Sequence, residues 1–190
     1  MKDHTRWTSA LILSLIWTNS ATAAEQERLF MCGVGQSAGD YISLDATMYD
    51  DGSWGGLRFT IKRTGSVEAT VVEPAGADPR IFYFSNSEGP EGYLAQVRFA
   101  DEDRSYLLSM LDVPADPSDD ADLGGQLGVL TVTEASGSSY DLPCGEMEEK
   151  IGYMSQAMDC DMSNPNGLAG CDFDKRPTRT RDETIPQSLR

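Results

Sequence analysis

The chain holds a single histidine, His4, and it lies in the N-terminal stretch MKDHTRWTSALILSLIWTNSATAAEQ. Lys2 and Arg6 precede an apolar run at Ala10–Trp17, and ATA at 21–23 supplies small residues, the three parts of a secretory signal cut after Ala23. The run is far shorter than the roughly 20 apolar residues that span a bilayer, so no membrane insertion is expected. Residues 24–190 then contain no histidine. That absence excludes Ser-His-Asp and Cys-His catalysis, His-ligated zinc or copper, and the commonest general base.

Lysine is scarce too: Lys62, Lys150 and Lys175 are the only ones after the signal, and no S-x-x-K run occurs. Cysteine is limited to Cys32, Cys144, Cys160 and Cys171. An even number beyond a secretory signal reads as disulfides rather than thiol nucleophiles. The turn-forming SNPNG favours a Cys160–Cys171 staple. Cys32–Cys144 is left, joining the first strand of the exported chain to the end of the last. In the chain-entropy model the short loop is worth about 3 kcal/mol and the long one nearly 5, both upper figures. The spacing does not form paired zinc knuckles. LAGC at 168–171 imitates a lipobox, but it stands near the far end of the chain, where no signal precedes it.

Positive charge is also short. The sequence has 15 basic and 31 acidic residues; without Lys2, Arg6 and Asp3 the exported part has 13 and 30, a net charge of −17. Such a body disfavours nucleic acid and anionic lipid, and suits a basic protein partner or divalent cations; it also keeps a secreted protein soluble. Five aspartates crowd one loop, at 112, 116, 119, 120 and 122, with the oxygen ligands calcium prefers. No register there matches the EF-hand spacing, and the segment opening at Asp159 fails likewise, with Asn164 where glycine is required. Both read as solvated acid, so no metal, cofactor or catalytic residue is assigned. Carboxylate hydrolysis is the one chemistry the composition leaves open.

What the sequence has in plenty is alternation. YISLDATMY, GLRFTIKR, VEATVVE, GYLAQVRF, SYLLSMLDV and LGVLTVTE repeat with period two, broken by turn signals such as Asp51-Gly52 and RTGS. The expected fold is all-β: an antiparallel β-barrel or β-sandwich of about 8–9 short strands with one C-terminal α-helix. The helix is placed at about 145–158, where Met147, Ile151, Met154 and Met158 form one stripe and Glu146 and Lys150 an i,i+4 pair. Residues 24–172 make one stapled domain, and 173–190, with Lys175, Arg176, Arg179, Arg181 and Arg190, read as a flexible basic tail. Phe82, Tyr83 and Phe84 cannot all face inward, so at least one ring points out. The function expected is a secreted or periplasmic non-catalytic binding module of protein-interaction or inhibitor type. The alternatives are a barrel binding a small apolar ligand and a carboxylate hydrolase.

Overall fold

The computed structural model describes residues 24–35, 37–115 and 124–164. Nine strands of seven to eleven residues follow in chain order: β1 (Glu25–Val34), β2 (Tyr41–Met48), β3 (Trp54–Arg63), β4 (Ser66–Val72), β5 (Tyr83–Gly89), β6 (Gly92–Ala100), β7 (Arg104–Val113), β8 (Gly125–Glu134) and β9 (Ser139–Glu149). A short helix, α1 (Ile151–Ala157), and a two-residue strand, β10 (Asp159–Cys160), complete the set. Period two sets the faces: in β3, Leu57, Phe59 and Ile61 are buried while Arg58 is exposed. The turns use the expected chemistry. Thr64 and Gly65 both take positive φ (51° and 79°), which matches the twist of the β3–β4 hairpin.

The strands form one curled, open half-barrel in the order β10-β5-β6-β7-β8-β9-β1-β2-β3-β4. β9 is the corner. Its first part pairs with β8 (Thr133↔Ser139 to Val129↔Pro143), its last part with β1 (Val34↔Cys144 to Phe30↔Glu149). Pro143 has no N–H with which to continue the first ladder. Gly128 of β8 completes the corner: a Cβ there would stand 2.8 Å from Met147 Sδ and 2.9 Å from Cys144 Cβ. The two halves of the sheet close over shared aromatic rings. Phe99 of β6 lies 4.5 Å from Phe59 of β3, 4.7 Å from Phe82 and 4.9 Å from Tyr106 of β7. Each such ring, fully buried, contributes roughly 1.5–3 kcal/mol.

Strand parity has a consequence. Every ladder from β4 through β1 and β9 to β5 is antiparallel. Eight reversals bring β5 into the same direction as β4, so no hairpin can join them, and the chain crosses between them through residues 73–82. At this seam Glu73 takes the place of a ladder. Its N–H donates to Leu57 O at 2.8 Å, and its Oε2 accepts from the Ile81 and Phe82 N–H groups at 2.6 and 3.2 Å. Arg80 pairs with the same carboxylate and donates from Nη2 to Ala157 O, the end of α1, at 2.6 Å.

The helix is shorter than the sequence suggests. Residues 145–149, expected in a helix over 145–158, continue β9, and only Ile151–Ala157 is helical. The stripe served two periods: Met147 faces the core from a strand opposite Cys32, while Met154 and Met158 are buried from the helical side. Lys150 accordingly pairs not with Glu146 but with Glu27, its Nζ donating to Oε2 at 2.7 Å. Cys32 and Cys144 are disulfide-bonded with Cα atoms 5.4 Å apart, as the pairing argument requires. Cys160 is disulfide-bonded as well, and Cys171, its expected partner, lies outside the described residues. So do the signal at 1–23, the aspartates at 116, 119, 120 and 122, and the tail at 173–190.

Candidate functional site

Two places merit comparison, one for chemistry and one for contact. At one mouth of the half-barrel the rung Glu88–Tyr93–Asp112–Gln126 extends the core-facing rows. Asn86 Nδ2 donates to Tyr93 Oη, and Gln126 Nε2 to Glu149 Oε1 at 3.4 Å. Burial raises the Glu149 carboxyl above its ordinary value, and the charge of Asp112 adds to the rise. One raised acid beside a second carboxylate is the kind of pair that hydrolysis uses. Asp112, however, is exposed at the rim. Among the described residues no group of three or more His, Cys, Asp or Glu side chains is placed to hold a metal ion.

The candidate contact surface lies on the other side of the sheet. β6, β7 and β8 bury Val97, Phe99, Tyr106, Leu108, Leu130 and Val132, so their alternate residues point outward. Every outward position from Ser105 to Leu111 on β7, and from Leu127 to Thr133 on β8, is uncharged. In a chain of net charge −16 that is a marked local exception. Register then builds a row: Leu94 of β6 stands opposite Leu111 of β7, which stands opposite Leu127 of β8. Leu127 is 61% exposed. Acid lies on the turns beyond the two ends of the face, Asp101, Glu102 and Asp103 on one and Glu91 on the other.

The β5–β6 flank of the face is covered by the chain after β10. Arg98 Nε and Nη2 donate to the two Asp161 oxygens at 2.7 and 2.8 Å, and the guanidinium lies 5.0 Å from the Tyr83 ring. Asn164 Nδ2 donates to Ser85 Oγ (3.1 Å) and Gln96 Oε1 (3.0 Å), and Gln96 in turn donates to Ser109 Oγ at 3.0 Å. Asn164 is the last described residue of this segment. Burial alone would raise the Asp161 carboxyl, but hydrogen bonds from Arg98 and Ser163 outweigh it and hold it below its ordinary 3.8. Its contribution to stability is therefore complete above 3.8 and lost as the pH falls through the lowered value. A carboxyl NMR titration of Asp161 should show a midpoint under 3.8, and Arg98→Met should move it upward.

The aromatic cluster marked in the sequence divides as alternation requires. Phe82 and Phe84 are buried, and Tyr83 faces out beneath Arg98. Trp54 is partly buried and meets Tyr153 of α1 at 5.1 Å. The leucine row escaped the sequence reading because Leu94, Leu111 and Leu127 sit on three different strands, and only register joins them. Its one visible signal was the lack of charge at alternate positions of SYLLSML and LGVLTVT. No protein family, curated protein or solved structure matches the chain.

Proposed function

We propose that the chain is an exported, non-catalytic interaction module that grips a partner protein with the outer face of β6–β8. The observation that carries this reading is the Leu94–Leu111–Leu127 row, continuous with the uncharged outer face of β7 and β8 and with acidic turns beyond its ends. Interface centres are depleted of charge and ringed by polar residues, which is this arrangement. The partner of matching chemistry carries an apolar patch bordered by Lys or Arg, and the acidic rim would speed their encounter. The Cys32–Cys144 disulfide supports an oxidising compartment, and no described helix is long and apolar enough to cross a membrane. The packed rings around Phe99 occupy the space between the sheet's halves, which weighs against the small-ligand reading.

Leu127→Arg tests the reading. At so exposed a position the folded state should lose no more than about 0.5 kcal/mol. Affinity for a partner isolated from periplasmic or extracellular material should fall at least tenfold, about 1.4 kcal/mol. The wild-type complex should weaken with salt, as rim charges require. A partner held equally by wild type and Leu127→Arg would refute the site. Displaceable binding of a lipophilic dye with no protein partner would favour the ligand reading instead.

A further inference from the structure

We infer that the free edge of β4 is a strand-addition site for an extended segment of another protein that carries carboxylates at alternate positions. Among the described residues β4 ends the sheet and pairs only with β3, and no backbone hydrogen bond from outside that ladder reaches Ser66–Val72. Natural edges are blunted by lysine, proline or a covering element. β4 has neither residue, and its one charge, Glu68, is already held by Arg63 at 3.5 Å. It exposes Val67 (60%) and Val72 (45%) instead. The opposite end of the sheet is treated differently, since β10 pairs with the start of β5.

Charge selects the occupant. Register places Val72 opposite Arg58 and Val67 opposite Lys62, so both valines share the outer face with these bases. Arg58 is exposed and makes no ion pair among the described residues, and Lys62 lies over the Tyr41 ring at 5.6 Å. A strand added to β4 would run about 10 Å from β3, two strand spacings. That is within the joint reach of a Glu and an Arg or Lys laid over the valines. Near physiological salt the screening length is about 8 Å, so the remote acid of the body is largely muted while these bases are not. Main-chain bonds would supply affinity and the alternating acids specificity.

The test uses a labelled, end-capped peptide of alternating Thr and Glu, with a Thr-Lys peptide as control, on the full chain. The expected result is saturable binding of the acidic peptide, with shifts and slowed exchange confined to Ser66–Val72 amides and their β3 neighbours. Arg58→Glu with Lys62→Glu should reverse the preference. Arg58→Gln with Lys62→Gln, which keeps side-chain length, should reduce acidic-peptide binding at least tenfold if the reversal does not fold. No saturation up to millimolar peptide, or equal binding of both peptides, overturns the proposal. So does slow exchange of all Ser66–Val72 amides in the peptide-free protein: concentration-dependent protection would assign the edge to a second copy, concentration-independent protection to this chain itself.

Discussion

Glu73→Ala is expected to destabilise the protein by about 3–5 kcal/mol in urea unfolding, a loss typical of removing one partner from a buried ion pair. The Glu73 side chain is 1% exposed and that of Arg80 9%. Truncating Glu73 strands the guanidinium and removes the acceptor of the Ile81 and Phe82 N–H groups, which have no strand on that side to replace it. Arg80→Met should cost a similar amount at neutral pH, since it strands the carboxylate and frees the Ala157 carbonyl at the end of α1. Glu73→Gln with Arg80→Met should cost much less than the sum of the singles, because no charge then remains buried. The pH dependence has a definite sign. Burial raises the Glu73 carboxyl above its ordinary 4.5, against the pull of Arg80 and the two N–H groups. The folded chain therefore holds that proton more tightly than the unfolded chain. The stability linked to it is complete below 4.5 and lost as the pH rises through the raised value. Without Arg80 the rise is larger, so the deficit of Arg80→Met should shrink between pH 7.5 and pH 4.5. A deficit below about 1 kcal/mol at pH 7.5 would show that the seam is held by packing and not by this pair.

How far the sequence alone leads follows from the range of each signal. Local signals were legible. Leu57, Phe59 and Ile61 alternate inward as written, and Asp51-Gly52 and Thr64-Gly65 turn the chain where their chemistry says. The Cys32–Cys144 pairing also emerged, because the turn formers between the other two cysteines left one partner each. Relations between distant strands were not legible. Nothing in SSYDLPCGEMEE says that β9 leaves β8 at Pro143 for β1, yet that choice fixes strand parity and so creates the seam that Glu73 fills. The helix boundary failed for a different reason. Met147 lies three residues after Cys144, out of period two but in the helical stripe, and only a register shift in the β1–β9 ladder brings it opposite Cys32 on a strand. The candidate site depends on register in the same way. A leucine row across three strands, and two valines beside two bases on an edge, exist only once the ladders are set.

Replacing Cys32 and Cys144 together by alanine is expected to cost up to nearly 5 kcal/mol, the chain-entropy value for a loop of about 100 residues; these two stand 112 apart. Domains of this size have roughly 5–15 kcal/mol in all, so the variant should be at the margin of folding. Denaturant slopes distinguish this loss from that of Glu73→Ala. A cross-link acts mainly by restricting the unfolded chain, so without it unfolding exposes more surface and the urea slope should rise. Glu73→Ala should leave the slope unchanged. A second readout is local. Cys144 is the point at which β9 begins its ladder with β1, and the adjacent Gly128 corner has room for no other side chain. Amides of Cys32–Val34 and Cys144–Glu149 should therefore exchange faster in the alanine variant, while the β6–β7 ladder keeps its protection. An unchanged slope with uniform loss of protection would place the effect in native packing around the buried Cys32. A raised slope with exchange confined to the β1–β9 ladder would identify the bond as the tie that keeps residues 145–149 in a strand, against a stripe that also suits a helix.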